Sequence, residues 1–291
     1  MSKIFKLGVI GNPIEHSLSP FIHSRFARNE NISISYEAFK VEENNFNSFI
    51  KEFFSHKDSL GLNITLPFKK SAAQLEGKIS EEAKIIAAVN TIKKESRSLY
   101  LDSTDGAGFI DDLKSKGVVI KNQKIMIIGA GAASESILYK IIEEKPKQII
   151  INNRTEDKAV SLVKKYKSLF SDIDINVATN DQSDTSPDLI INGSSAGLTG
   201  QFSAPYLTTH KDQVFYDLNY SLEVTPFCDW AKAISPNVYD GIGMLVNQAA
   251  YSFNNWFGVK PNTDKALIDL KSLWPNSFSL FQAQFAQAAR P

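Results

Sequence analysis

Residues 125–134 read IMIIGAGAAS, and this segment decides the fold of the chain. Its apolar start is typical of a strand buried in a parallel sheet, and a helical pattern runs from Ser134 to Glu143. Between them, Gly129 and Gly131 permit a tight turn and let a diphosphate approach the N-terminus of the helix. The segment predicts a dinucleotide-binding unit, although Ser134 stands where a third glycine is usual. A plain strand–turn–helix junction is the alternative.

The end of the next predicted strand indicates which dinucleotide is bound. Asn153-Arg154-Thr155 follows this strand, about 20 residues beyond Gly131. Here an NAD-binding chain has an acidic residue for the ribose 2′-hydroxyl, whereas an arginine accommodates the 2′-phosphate of NADP. Arg154, with Lys158 one helical turn later, therefore favours NADP. A solvated loop charge is the alternative, because two acidic residues follow Thr155 directly.

Strand and helix patterns alternate along most of the chain, which predicts an α/β fold with parallel strands and covering helices. An exception is Val89–Asp102, where two extended runs suggest a hairpin. Turn residues at 102–108 and 240–243 mark two boundaries and predict two domains with a cleft between them. We expect a discontinuous substrate domain at 1–104, a Rossmann-like NADP-binding domain at 105–240, helices returning to the first domain at 241–273 and an unassigned extension at 274–291. Strand patterns lie at 6–10, 35–39, 61–66, 125–128, 148–152, 188–192, 214–217 and 238–239.

Composition excludes several other classes of protein. The 32 basic and 32 acidic residues cancel, so no net field attracts nucleic acid or an anionic membrane. A single cysteine, Cys228, excludes an intrachain disulfide and a cysteine-based zinc site, and it indicates a reducing compartment. The four histidines show no metal-binding spacing and are interpreted as ordinary surface or core residues, and the apolar stretch at 4–10 is too short for a signal peptide or membrane span. We expect a cytoplasmic monomer or homodimer that binds a small molecule and no metal.

Two serines near the N-terminus are candidates for anion binding. Ser19 is predicted to cap a helix that begins at Pro20, and Ser17 has no evident capping role. A helix N-terminus beside two hydroxyl groups suits a carboxylate or a phosphate. The alternative is that Ser19 only caps its helix.

A second group of candidates follows the predicted strand at 61–66, in which Thr65 lies on the face opposite the apolar residues. Pro67 is predicted to start a helix with Lys69 and Lys70 in its first turn, where cations oppose the helix dipole. Residues placed against a local preference in this way are typical of functional sites. The positive field of the helix N-terminus also favours loss of a proton from lysine, which suits proton transfer. Two solvated lysines are the alternative.

Three polar residues elsewhere are further candidates. Asn90 and Asp105 lie where strands end toward the predicted cleft, and each has a turn-stabilising role as its alternative. Gln248 is a polar residue in an apolar helical pattern. It is either a ligand contact or part of a buried structural hydrogen bond.

Together these segments resemble the shikimate dehydrogenase family, from about residue 6 to residue 273. The resemblance implies reversible reduction of 3-dehydroshikimate to shikimate by NADPH, on the route to chorismate and the aromatic amino acids. The matching segments are Gly11-Asn12-Pro13 with Ser17-Leu18-Ser19-Pro20, Asn63-Ile64-Thr65-Leu66-Pro67-Phe68-Lys69, Ala88-Val89-Asn90-Thr91, Ser103-Thr104-Asp105-Gly106, Gly129 to Ser134, Asn153-Arg154-Thr155, and Asp240-Gly241-Ile242-Gly243-Met244-Leu245 with Gln248-Ala249.

The resemblance also implies the roles of individual residues. It makes Lys69 and Asp105 the catalytic pair at the reacting oxygen, with Lys69 as the proton donor, and Ser17 and Ser19 the clamp on the substrate carboxylate. The other implied substrate-binding residues are Thr65, Asn90, Asp105, Tyr220 and Gln248. The implied cofactor-binding residues are Gly129, Ala130, Gly131, Ala132, Ala133, Asn153, Arg154, Thr155, Lys158, Leu218 and Gly241. Ser103, Leu218 and Gly193 stand where the family usually has asparagine, methionine and alanine.

Two other functions stay open at this point. An NAD-using quinate/shikimate dehydrogenase is the closer rival, and Arg154 without an acidic ribose-binding residue argues against it. A non-catalytic ligand sensor with the same fold is the more distant rival. The presence of Lys69 and Asp105 argues against a sensor.

Overall fold

The structure is a computed structural model that describes residues 3–178, 186–194, 202–205, 207–221 and 223–272. The predicted extension at 274–291 lies outside the described residues. Among the residues that are described, no helix has the length and apolar character needed to cross a membrane. The same residues contain no group of His, Cys, Asp and Glu side chains arranged to hold a metal ion.

The N-terminal part of the chain forms a mixed sheet. Its elements are β1 (Phe5–Gly11), α1 (Ser19–Asn29), β2 (Ile34–Lys40), α2 (Phe46–Ser55), β3 (Ser59–Ile64), α3 (Lys69–Ala72), β4 (Lys78–Ile79), α4 (Glu81–Ile86), β5 (Thr91–Lys94) and β6 (Leu99–Asp102). In the described residues the strand order is β2-β1-β3-β5-β6-β4. Strand β1 pairs in parallel with β2 and β3, whereas β5 pairs antiparallel with β3 and β6. The β5–β6 pair confirms the hairpin predicted at Val89–Asp102.

The second part of the chain forms a parallel sheet, and its first strand contains the apolar run at 125–128. Its elements are α5 (Asp105–Ser115), β7 (Lys124–Ile128), α6 (Ala132–Glu143), β8 (Gln148–Asn152), α7 (Glu156–Leu169), β9 (Ile175–Val177), β10 (Leu189–Asn192), β11 (Val214–Asp217), α8 (Pro226–Lys232) and β12 (Val238–Tyr239). The order among described strands, β12-β11-β10-β7-β8-β9, starts at β7 and runs outward in both directions. This is the doubly wound order of dinucleotide-binding folds, and it confirms the predicted fold class.

Two helices, α5 and α9 (Ile242–Phe257), join the two sheets. A last described helix, α10 (Thr263–Ser272), follows α9. Helix α9 returns to the N-terminal part, where Phe253 packs in an apolar core with Phe26 of α1. A Cβ atom on Gly108 would lie 2.5 Å from the backbone nitrogen of Gln248, so the glycine is required for α5 and α9 to pack this closely. The close packing brings Asp105 of α5 near Gln248 of α9. The domain boundaries near residues 104 and 240 stay a prediction.

Candidate active site

A cavity of about 330 Å³ lies between the two sheets and is lined by residues of both. It lies where ligands of open α/β sheets bind, beyond the carboxyl ends of the strands. The structure brings together here all the residues proposed to bind the substrate: Ser17, Ser19, Thr65, Lys69, Asn90, Asp105, Tyr220 and Gln248. Leu218 and Gly241 of the proposed cofactor set line the same cavity.

Lys69 and Asp105 form an ion pair on the cavity wall. The distance from Lys69 Nζ to Asp105 Oδ2 is 2.6 Å, and the two side chains are 21% and 9% exposed. An ammonium group has three donors, so Lys69 keeps donors for an oxygen of a bound molecule. Asp105 is the first residue of α5 rather than part of a preceding turn. The pair therefore couples a proton donor with a buried carboxylate that orients it.

The helix-dipole argument for Lys69 is wrong. Strand β3 ends at Ile64, so Thr65 lies in a turn that is closed by a hydrogen bond from Phe68 N to Thr65 O at 2.9 Å. Pro67 belongs to this turn, and α3 contains only residues 69–72. A single helical turn supplies little dipole, since the effect comes from many aligned peptide units. The local environment of Lys69 is set instead by burial and by Asp105.

The predicted cap of the first helix is also wrong. Helix α1 begins at Ser19, its N-cap residue is Leu18, and no side chain caps it. Ser17 does have a local role, because its Oγ accepts a hydrogen bond from the Ser19 backbone N–H at 3.3 Å. Both serine hydroxyls line the cavity. Their position beside a helix N-terminus still suits a carboxylate.

Asn90 connects the ion pair to the rest of the site. Its Nδ2 donates to Asp105 Oδ1 at 2.7 Å and lies 3.3 Å from Gln248 Oε1. Its Oδ1 accepts from the Thr104 backbone N–H at 2.9 Å, which determines the direction of the amide. Lys69 and Asn90 thus bind different oxygens of the Asp105 carboxylate.

Two polar residues line the cavity without having been assigned to it from the sequence. Asn63 is buried at the end of β3, and the signal for it was a polar residue between Leu62 and Ile64 in a buried strand. His16 also lines the cavity, although it was interpreted as an ordinary histidine. His23 is a core residue, since it is fully buried against aromatic side chains.

The segment that follows β11 carries Leu218 and Tyr220 to the cavity. Asp217 holds its start, accepting hydrogen bonds from Asn192 Nδ2 at 2.9 Å and Thr225 Oγ1 at 2.6 Å. Burial raises the pKa of Asp217 above its ordinary value, and these donors oppose the rise. Burial also raises the pKa of Tyr220, so its phenol stays protonated and can donate to a bound hydroxyl group.

The loop after β7 has the geometry of a diphosphate-binding turn. Gly129 has a φ of 103°, and a Cβ there would lie 2.8 Å from the backbone nitrogen of Ser194. A Cβ on Gly131, by contrast, would meet nothing within 4 Å, so the N-terminus of α6 has open space in front of it. Ala130 N–H donates to Asn153 Oδ1 at 2.9 Å and ties this loop to the end of β8. These residues fit a dinucleotide.

The positive charges proposed for the 2′-phosphate lie at the end of β8. Arg154, Thr155 and Lys158 are exposed. In the part of the chain that the structure describes, neither Arg154 nor Lys158 pairs with an acidic side chain. Both cations are therefore available to a phosphate dianion.

Gly193 lies directly against the side chain of Ser134. Ser134 is fully buried, and its Oγ has no hydrogen-bond partner among the described residues. A Cβ on Gly193 would lie 2.1 Å from this oxygen. An alanine at 193, which the family usually has, would therefore force Ser134 Oγ out of its position.

We expect Gly193→Ala to lower the melting temperature and raise the KM for NADP, because overpacking a close-packed interior costs about 1–3 kcal/mol. Ser134→Gly removes the obstructing hydroxymethyl group, so the double variant should recover both values. Thermal melting and initial-rate kinetics of the two single variants and the double variant check this. A Gly193→Ala variant as stable as the parent chain would contradict the coupling.

Comparison with known proteins identifies relatives over nearly the whole chain. Family models match for the shikimate dehydrogenase substrate binding domain at residues 9–92, for shikimate / quinate 5-dehydrogenase at 112–195 and for the shikimate 5′-dehydrogenase C-terminal domain at 241–267. The shikimate dehydrogenase (NADP(+)) of Vesicomyosocius okutanii is 39% identical over 270 residues, 92% of this chain and 100% of that protein. That of Psychromonas ingrahamii is 40% identical over 270 residues, 90% of this chain and 96% of that protein.

A solved structure has the same overall fold. The shikimate 5-dehydrogenase of Thermus thermophilus, in complex with NADP(H) and shikimate, has a TM-score of 0.80 and 27% identity, covering 90% of this chain and 97% of that one. The comparisons confirm the predicted enzyme class, an NADP-dependent oxidoreductase, and the predicted cofactor. The chain belongs to the shikimate dehydrogenase family.

Proposed function

We propose that this chain catalyses the reversible, NADPH-dependent reduction of 3-dehydroshikimate to shikimate, on the route to chorismate and the aromatic amino acids. The observation that carries the proposal is the Lys69–Asp105 ion pair on the wall of a cavity that Ser17 and Ser19 also line. This arrangement offers a proton donor and a carboxylate-binding corner in one small enclosure. A keto acid with ring hydroxyl groups matches both.

The cofactor supplies the hydride when it is bound. The turn at 129–133 would hold its diphosphate at the N-terminus of α6, and Arg154, Thr155 and Lys158 would hold the 2′-phosphate. Asn153 would hold the loop after β8 against the loop after β7, because its Oδ1 accepts a hydrogen bond from the Ala130 N–H. Leu218 and Gly241, which line the cavity, would lie beside the reacting end of the cofactor.

The chain supplies the proton. Hydride addition to a ketone places negative charge on its oxygen, and a positioned donor stabilises that charge as it develops. The Lys69 ammonium donates a proton to this oxygen, becomes a neutral amine and is reprotonated from solvent. Asp105 holds the ammonium in place throughout. In the oxidation direction the same groups act in reverse.

The remaining residues of the cavity orient the substrate. Ser17 and Ser19 donate hydrogen bonds to its carboxylate, and the hydroxyl groups are bound by Thr65, Asn90, Tyr220 and Gln248. Holding the ring by both ends fixes the reacting carbon relative to Lys69, which lowers the entropy cost of the reaction. The cytoplasmic location and the monomeric or homodimeric state stay predictions.

Initial rates with shikimate and with quinate, each with NADP and with NAD, test the proposal. We expect the highest kcat/KM for shikimate with NADP. Preference for NAD, or equal use of quinate, would instead indicate an NAD-using quinate/shikimate dehydrogenase. Binding of shikimate without turnover would indicate a ligand sensor.

Ser17→Ala should raise the KM for shikimate by about tenfold or more, because a hydrogen bond to a carboxylate is lost, and leave the KM for NADP nearly unchanged. Ser24→Ala is the matched control, since Ser24 is an exposed serine of α1 whose hydroxyl donates to Pro20 O. Steady-state kinetics of both variants give the comparison. An unchanged KM for shikimate in Ser17→Ala would show that Ser17 does not bind the substrate, and its only remaining role would be the hydrogen bond from the Ser19 N–H.

A further inference from the structure

Tyr36 lies behind the cavity wall, and its hydroxyl group lies beside the side chains of Asn63 and Ser19, which both line the cavity. It is buried on β2, it does not line the cavity, and its hydroxyl donates to Asn63 Oδ1 at 2.7 Å. We propose that Tyr36 is a positioning residue that holds Asp105 in place through a buried hydrogen-bond path. The inference rests on the proposed function of the Lys69–Asp105 pair.

The path runs through four side chains, Asn63, Thr91, Ser252 and Asn90. Asn63 Nδ2 lies 3.2 Å from Thr91 Oγ1 and 2.9 Å from Ser252 Oγ, and these two hydroxyl oxygens are 2.6 Å apart. Thr91 Oγ1 donates to Asn90 Oδ1 at 2.9 Å. Asn90 Nδ2 then donates to Asp105 Oδ1 at 2.7 Å. The path joins β2, β3, β5, α5 and α9 directly behind the catalytic pair.

Two backbone groups determine the orientation of both side-chain amides along this path. Asn63 Nδ2 is 3.2 Å from the carbonyl oxygen of Asn90, which only accepts, so Asn63 Oδ1 must face Tyr36. The Thr104 backbone N–H only donates, so Asn90 Oδ1 must face it and Asn90 Nδ2 must face Asp105. With both amides fixed in this way, the Tyr36 hydroxyl has to act as a donor.

The surroundings of Tyr36 keep it in that role. Its ring stacks on His23 with a centroid distance of 4.5 Å and also lies beside Trp256. Burial raises the pKa of Tyr36 and lowers the pKa of His23 to about 3, so the phenol keeps its proton and the imidazole stays neutral. The ring itself packs as a phenylalanine would. Only the hydroxyl group reaches the path.

Removing this hydroxyl leaves Asn63 Oδ1 without a donor in a buried place. An unpaired buried acceptor is unfavourable, so Asn63 is expected to move or rotate toward another donor. Asn63 Nδ2 also contacts Thr91 Oγ1 and the Asn90 carbonyl oxygen. A movement of Asn63 therefore reaches Asn90. The Asp105 carboxylate then loses part of the support that aligns it with Lys69.

The test is Tyr36→Phe, with Tyr251→Phe as the matched control. Tyr251 donates to Asp111 Oδ2 at 2.9 Å, so the control also loses one tyrosine hydrogen bond, but outside the cavity lining. We expect Tyr36→Phe to lower kcat for shikimate oxidation about tenfold, as the loss of one buried hydrogen bond allows, with the KM for NADP unchanged. Tyr251→Phe should keep the kcat of the parent chain.

A primary deuterium isotope effect on kcat, measured with shikimate deuterated at C3, separates positioning from simple loss of folded protein. A smaller folded fraction lowers kcat without changing the isotope effect, whereas misalignment slows hydride transfer and increases it. If Tyr36→Phe does not fold, Ser252→Ala tests the same path, and it should show the same increase. In the Tyr36→Phe/Ser252→Ala double variant, the fold loss in kcat should be smaller than the product of the two single losses, because both residues act on one network.

An unchanged kcat and isotope effect in Tyr36→Phe would overturn the inference. The same outcome would leave the proposed function intact, because the parent chain would still oxidise shikimate with NADP. A parent chain without shikimate-dependent reduction of NADP would instead overturn the proposed function.

Discussion

Lys69→Met is expected to lower turnover by about 10² to 10⁴, the contribution typical of a general acid–base group. Methionine keeps the apolar stem of the side chain and deletes the ammonium group, so the oxygen of the ketone loses its proton donor while the cavity keeps its shape. The KM values for shikimate and NADP should change much less. Steady-state kinetics in both directions give the measurement.

Lys70→Met is the matched control for this substitution. Lys70 is the exposed neighbour of Lys69 and does not line the cavity, so its replacement should leave turnover unchanged. Near-normal turnover in Lys69→Met would remove Lys69 from the reaction.

The partner of Lys69 provides a second check of the same pair. Asp105→Asn should also lower turnover, because the neutral amide no longer holds the ammonium. Since the two residues act as a unit, the double variant should be little worse than the worse single variant. Losses that simply multiply would show that Lys69 and Asp105 act independently.

Arg154→Ala should weaken the binding of NADP by roughly ten- to hundredfold and change NAD binding far less, because one charge-assisted hydrogen bond to the 2′-phosphate is lost. Arg97→Ala is the matched control, since Arg97 is an exposed arginine in the turn between β5 and β6. Fluorescence titration of each variant with both dinucleotides measures the difference. Equal weakening of NADP and NAD would place Arg154 away from the phosphate.

The fold class follows from local sequence. The buried run at 125–128, the glycines after it and the helix that follows are all neighbours in the chain, so their pattern alone predicts the unit that the structure contains. The predicted start of α6 was two residues late, because Ala132 and Ala133 already have helical conformation. The short strands β4 and β9 were not predicted, since their patterns are too brief to stand out.

The placement of the site residues was predictable only in part. Motifs in the sequence singled out Lys69, Asp105 and Gln248 one by one, but the reason offered for Lys69 was wrong. The turn at Pro67 delays the helix, and the nearest strong charge comes from Asp105, which is distant in the chain. Ion pairs between distant residues leave no periodic pattern to detect.

The sequence by itself predicted the phosphate-binding unit and NADP as its cofactor, because both depend on residues within about 30 positions of one another. Only the tertiary structure decided the crossing of α5 and α9 at Gly108, the close contact of Gly193 with Ser134, and the path from Tyr36 to Asp105. Each of these depends on which atoms meet across different elements of the fold. Such contacts arise from packing in three dimensions, whereas local patterning acts along the chain.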